Sequence, residues 1–292
     1  MTRRGFAPRN PVVYRLAEMT LRASKLGVGL LLAAALGGAG CSKSAMEVES
    51  PDALYQEAVA EHADENYEVA VQRYRELLDH YPLDPRAEEI ELRIAHAHLA
   101  NESHPEAIAA FSDFQRMHPT SPHLPEVEYR IGQAYVEQID TIDRDLGAAK
   151  NAHARLQSIL ARYPTSEFNK DVLEQLEYVR EHLAGRELYI AEYYFDRDHY
   201  PAGWVRTATV LARFPETDTA AAAAARLAEA ATDNGDEETA RLADAAANEL
   251  SETNSDMEGK LGALRSPGPA LTALRAHLQT PPRNPEDEDD DA

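Results

Sequence analysis

Between residues 52 and 250, small apolar residues fall on a fixed ruler. In residues 52–82 and 89–119, an alanine in a first helix-periodic stretch (Ala58, Ala95) is followed twelve positions on by a second (Ala70, Ala107) and twelve further by a proline (Pro82, Pro119). Just beyond the second alanine come Tyr74 and Phe111, then Leu77 and Phe114, an i, i+3 apolar stripe that marks one helix face. The spacing predicts two antiparallel helices that cross closely, with a small residue on each at the crossing and a proline ending the second. Gly132, Ala152 and Pro164 continue the ruler with eight residues inserted around 138–145, and Ala191, Gly203 and Pro215 return to twelve and twelve. Ala228 and Ala240 form a fifth pair without the proline. An aromatic or His precedes every marking proline: Tyr81, His118, Tyr163 and Phe214.

From each proline to the next first-helix small residue the distance is thirteen, except from Pro164 to Ala191, where it is twenty-seven. The excess is close to four turns at ~3.6 residues per turn, so the face at Ala191 keeps its phase. Val172, Leu173, Leu176, Val179, Leu183 and Leu188 recur at helical intervals across the gap, interrupted only by Gly185. The pattern predicts one helix over 169–195, projecting ~21 Å beyond a normal repeat, with the insertion at 138–145 as a loop near its start. The rival is two helices broken at Gly185.

Helix pairs on such a ruler resemble tetratricopeptide repeats (TPR) and predict an all-α solenoid of about five pairs. Repeats 1–3 fall in 51–164 and repeats 4–5 in 165–250, with the alanine-rich fifth pair as a polar end cap. Beyond 251 the pattern stops. Residues 251–292 read as a disordered acidic tail with one short helical stretch at 269–279 and an unbroken acidic run at 286–291. In a TPR stack the first helices face one side, so residues one turn apart and off the small-residue face should line a peptide groove: Tyr55, Val59 and His62, then Leu92, His96 and Leu99, then Tyr129, Gln133 and Val136.

The N-terminus changes the picture from a helical repeat to an exported one. Residues 26–40, LGVGLLLAAALGGAG, are apolar, uncharged and too short to span a membrane, and Arg22 and Lys25 precede them. This reads as a signal peptide over 1–40, with translation starting at Met19 as the expected true start. The run ends at Gly38-Ala39-Gly40-Cys41-Ser42, which resembles a bacterial lipobox with Gly38 in place of the usual Leu. Cys41, the only cysteine, is therefore expected to carry the lipid, with 41–50 as linker. Ser42, rather than Asp, points to the outer membrane.

Composition and motifs narrow the function. The chain has 51 acidic and 29 basic side chains, and residues 1–40 hold six of the basic ones against a single acid. The exported body is thus strongly acidic and should repel nucleic acid and anionic headgroups. A lone cysteine allows neither an internal disulfide nor a multi-cysteine metal site. No P-loop, zincin or nucleophile-elbow motif is found, so no enzyme, cofactor or metal is expected. Five histidines, His96, His98, His104, His118 and His123, crowd one region; His96 and His98 point to different helix faces, so ordinary packing or solvation is expected over a metal. Trp204, beside Gly203, is either packing or a partner anchor.

A lipobox, a short linker and five TPR units together resemble the BamD family, lipoproteins of the outer-membrane β-barrel assembly machine. The local matches are Ile190-Ala191-Glu192-Tyr193-Tyr194, then Arg197, Tyr200, Arg206 and Arg213-Phe214-Pro215, with Tyr55, Ala70, Tyr81-Pro82 and Asp143-Arg144-Asp145. The resemblance implies an outer-membrane, periplasm-facing scaffold that helps insert barrel proteins. Its N-terminal half would receive an extended signal from unfolded outer-membrane proteins. Its C-terminal half, through Arg197, Tyr200 and Arg206, would hold POTRA domains of a BamA-like barrel subunit, alongside other assembly-machine lipoproteins. The alternative is a general periplasmic TPR adaptor for envelope or division complexes; the division-associated kind carries a coiled coil before its repeats, and no heptads stand between Cys41 and the first helix.

Overall fold

A computed structural model describes residues 49–255, 266–279 and 282. Cys41, the signal segment, Met19 and the acidic run at 286–291 lie outside them. The described chain is built of α1 (Pro51–Ala63), α2 (Tyr67–His80), α3 (Ala87–Ala100), α4 (His104–Met117), α5 (Leu124–Val136), α6 (Gly147–Arg162), α7 (Asn169–Phe195), α8 (Tyr200–Arg213), α9 (Asp218–Asp233), α10 (Glu237–Thr253) and α11 (Pro269–His277). Each of the first ten helices packs chiefly on its chain neighbours, α1 on α2, α2 on α3 and onward, which is a solenoid of five helix pairs.

The ruler has a steric cause. Ala58, Ala70, Ala95, Ala107, Gly132, Ala152, Ala191, Gly203 and Ala228 are all buried, and at Gly132 and Gly203 a side chain of the paired helix fills the space a Cβ would need. Gly203 is the tighter of the two ruler glycines: a Cβ there would lie 2.5 Å from the Phe195 ring. The fifth pair departs from the ruler. Ala240 is half-buried, while Thr239 and Ala243 take the interior positions, because between two alanine-rich helices no single small residue is needed to permit contact.

The turns repeat as well. Tyr81, His118, Tyr163 and Phe214 cap α2, α4, α6 and α8 with φ between −133° and −120° and ψ between 44° and 64°. The proline that follows each excludes the helical conformation and stops the helix there. Within repeats 1, 2, 4 and 5 the two helices are joined through one left-handed residue, Glu65, Glu102, Asp198 and Gly235, with φ of 63°, 56°, 59° and 77°. Only one is glycine, so this recurring geometry has no compositional signature.

Helix α7 is continuous through Gly185, as the phase argument predicts. Its extra turns do not project freely, however. Val172 and Val179 are buried, and α7 packs on α6 as well as on α8 and α9. The 138–145 loop lies against the middle of α7 rather than near its start: Arg186 donates to the Ile142 carbonyl at 2.9 Å, and the Ile142 side chain sits 3.8 Å from where a Gly185 Cβ would be. One apolar core runs unbroken from Tyr129 through α6, α7 and α8 to Leu278, whereas the first two repeats have smaller cores of their own. The third repeat therefore lends Val127 and Ile131 to the core of the second and shares the rest of its core with the C-terminal repeats, and no core boundary falls at 164/165.

The largest correction concerns the C-terminus. Within the expected tail, α11 is docked: Leu271, Leu274 and Leu278 are buried against α10 and α8. Glu249 accepts from the Ala270 and Leu271 N–H groups at 2.9 and 3.0 Å, satisfying donors at the start of the helix. Arg275 Nε donates to the Leu211 carbonyl at 2.8 Å. The last repeat exposes an apolar flank that α10 cannot cover, and a leucine stripe at i, i+3, i+7 is what closes it.

Candidate protein-binding site

Sequence placed nine residues in a groove along the first helices, and all lie on α1, α3 or α5. Tyr55 is a hub. Its hydroxyl donates to Glu89 at 2.7 Å, Arg86 lies 4.6 Å over its ring, and Arg93 is 5.9 Å away. Burial and the bond to Glu89 raise the Tyr55 pKa, and that same bond, with Arg93, lowers that of Glu89. Arg86 is fixed in turn by Asp84, through Nε at 2.9 Å and Nη2 at 2.8 Å, and this holds the Asp84 carboxyl at about 2.

His62 packs edge-on to Tyr67 at 5.3 Å, and its pKa is lowered by burial and by Arg93. His96 packs edge-on to Phe111 at 5.2 Å, 3.3 Å from Glu126, with its pKa lowered by burial. Gln133 accepts from Arg130 and donates to Glu137, both at 2.9 Å. Val59, Leu92, Leu99 and Val136 are partly buried against the cores. Tyr129 is a correction. It is 7% exposed, stacked on Phe168 at 5.1 Å with its hydroxyl near Gln175, and so is packing between repeats rather than a groove tip. Sequence reasoning missed Arg86, Arg93 and Arg130, the cations that lean on Tyr55 and Tyr129; they lie off the small-residue face but carry no motif.

In the C-terminal half Arg197 is exposed, with its guanidinium 3.7 Å from the Tyr193 ring centre and a bond to the Tyr193 carbonyl at 3.1 Å. Arg206 pairs with Glu187 at 3.0 Å. Tyr200 is a second correction. It is 5% exposed, packed on Phe195 with its hydroxyl 3.2 Å from Asp236, and burial pushes its pKa well above the ordinary value. It belongs to the core. Trp204 is likewise buried. The sequence singled out Tyr193 and Arg197 but not the row they complete: Arg186, Tyr189 and Tyr193 lie at i, i+3 and i+7 on one face of α7, and Arg197, in the turn just beyond the helix, lies over the Tyr193 ring. Tyr189 and Tyr193 are about half exposed, and each carries an arginine over its ring. Exposed tyrosines with arginines are the side chains most often found at interface centres.

Among the described residues no group of three or more His, Cys, Asp or Glu side chains is placed to hold a metal, and no helix is long and apolar enough to cross a membrane. His104 and His118 each face a carboxylate, Glu137 at 3.3 Å and Glu91 at 2.6 Å.

The described chain is thus a helical-repeat protein whose exposed faces carry tyrosine–arginine pairs. Residues 47–246 match the family profile YfiO, described as outer membrane lipoprotein, and the chain belongs to that family. Among its curated relatives is the outer membrane protein assembly factor BamD of Caulobacter vibrioides, 29% identical over 204 residues that span 69% of this chain and 67% of that protein. The protein of the same name from Vibrio cholerae is 27% identical over 202 residues, 66% of this chain and 84% of that one. That of Pasteurella multocida is 32% identical over 80 residues, 27% of this chain and 31% of that protein. The family match ends before α11.

Proposed function

We propose that this protein is an assembly scaffold for outer-membrane β-barrel proteins, held to the periplasmic face of the outer membrane by lipid on Cys41. The relatives' shared name and the TPR solenoid support the assembly role. In this reading the first repeats receive an extended segment of an unfolded barrel protein. Arg86 and Arg93, close over Tyr55, suit a chain ending that combines an aromatic ring with a carboxylate. The row Arg186–Tyr189–Tyr193 on α7, continued by Arg197 in the turn that follows and joined by Arg206, holds a POTRA-bearing barrel subunit. The observation that carries the reading is this row, exposed on a helix whose other side is locked into the shared core. A rigid element presenting aromatic and cationic anchors binds with little ordering cost.

The test is a pull-down from detergent-solubilised membranes. Arg197→Glu with Arg206→Glu should release the POTRA-bearing subunit and leave affinity for a barrel C-terminal peptide unchanged, while Tyr55→Ala should weaken the peptide and leave the subunit bound. Retention of the subunit by the doubly reversed chain refutes the assignment, and loss of both ligands together refutes the division into two sites. Anchoring is read separately: Cys41→Ala should leave an unprocessed or soluble protein, and a cleaved variant still sedimenting with outer membranes refutes the lipid as the main anchor.

A further inference from the structure

Where α6, α7 and α8 meet, the surface opens into a cleft of about 380 Å³. Leu146, Leu183 and Phe214 give it an apolar floor, and Lys150 and Arg213 stand exposed at its edge. The other charges in it are spoken for. Arg180 is ion-paired to Glu216 and donates to the Arg213 carbonyl at 2.7 Å, and Glu187 faces Arg206 at 3.0 Å. His153 lies 3.2 Å from Arg180, and burial together with that cation favours its neutral ring. Among the described residues no ion pair within 4.0 Å joins Lys150 or Arg213 to a carboxylate; the Arg213 guanidinium rests 5.4 Å from the centre of the Phe214 ring. In a chain of net charge −22, two unpaired cations sharing one apolar-floored recess call for an anionic occupant.

We propose that this cleft is an acidic-peptide site and that its resident ligand is the chain's own C-terminal run, residues 286–291. Six consecutive carboxylates there complement the two cations. The tether is short and well placed. Arg275 of α11 is bonded to the Leu211 carbonyl, two residues before Arg213, so the C-terminal helix is fixed to the same last turn of α8 that carries the cleft's cation. From the end of α11 at His277 to Glu286 are nine residues, which reach up to ~30 Å when extended. That exceeds twice the length of a helical turn (~5.4 Å) plus an arginine side chain. Pro281, Pro282 and Pro285 oppose helix formation and favour an extended connection. So short a tether holds its end at an effective concentration of order mM, and an intrinsic affinity of about 0.1 mM then suffices for the tail to fill the cleft most of the time. The cleft lies within the span matched by the family, and the tail lies beyond it. A partner's acidic segment could enter only by displacing it.

The experiment uses a labelled synthetic peptide of residues 282–292 and fluorescence anisotropy. Binding is measured on the lipid-free full chain and on the same chain ending at Gln279, which retains α11. The shortened chain should bind the peptide, and the full chain should bind it about tenfold more weakly or not at all, since its own tail competes. Lys150→Glu with Arg213→Glu in the shortened chain should weaken binding at least tenfold. Both side chains are exposed, and circular dichroism checks the fold; should that pair not fold, Lys150→Gln with Arg213→Gln gives the same readout. Equal affinity of full and shortened chains overturns the tail as occupant. Absence of binding to the shortened chain, or binding indifferent to both charge variants, overturns the cleft as an acidic-peptide site.

Discussion

Replacing Leu274 by Ala tests whether α11 is an integral end cap. Leu274 is fully buried, flanked on its face by Leu271 and Leu278, and these three are the only buried leucines α11 and its C-cap contribute. Removing a buried leucine side chain beyond Cβ costs about 2–5 kcal/mol, a factor of about 30 to about 4,000 in any equilibrium that depends on it. Two leucines, the Glu249 contacts to the helix start and the Arg275 bond to Leu211 remain. A helix of nine residues has little stability of its own. It should therefore detach instead of repacking, leaving the repeats folded and Leu250 and the α8 flank exposed. Hydrogen exchange reads this directly. Amides of 271–278 should exchange at least tenfold faster in the variant, those of α3 and α4 should be unchanged, and the melting temperature should fall by a few degrees. Thr272→Ala, on the exposed side, is the control. Unchanged protection over 271–278 refutes the end-cap reasoning; a uniform loss of protection across all repeats refutes the claim that α11 detaches alone.

Three further outcomes follow from the packing. Gly203→Ala gains about 1 kcal/mol of helix propensity but drives a methyl to 2.5 Å from the Phe195 ring; overpacking costs about 1–3 kcal/mol, so denaturant melts should show net loss, relieved by adding Phe195→Leu. Glu181 accepts from the Asp218 and Thr219 N–H groups at 3.0 and 2.9 Å and from the Thr219 hydroxyl, tying α7 to the start of α9; Glu181→Ala should cost about 1–3 kcal/mol and Glu181→Gln visibly less, and equal melts for all three chains refute the tie. Asp84 is held at about 2 in the folded chain by Arg86, below its ordinary value, so its contribution is fully present above pH ~4 and is lost as pH falls towards 2. Asp84→Asn should therefore be less stable than the parent at pH 7 and converge with it near pH 2, whereas a constant difference across that range refutes the assignment.

Much of this protein was legible in its sequence because repetition amplifies weak signals. A small residue where two backbones nearly touch, a proline that ends a helix and a helical phase kept across fourteen extra residues are local requirements, and they suffice to define the pairs and the unbroken α7. What the tertiary structure decided is which side chains remain free. Tyr129 and Tyr200 carry residue types suited to partners, yet Phe168 and Phe195, distant or on another helix, bury them. Conversely, Tyr189 and Tyr193 look like core residues and stand exposed beside arginines. The docking of α11 was equally illegible, since ten residues with three leucines are indistinguishable from a frayed tail until the uncovered flank of α10 is known. Burial depends on what lies opposite, and what lies opposite is fixed by the whole stack rather than by any stretch of chain.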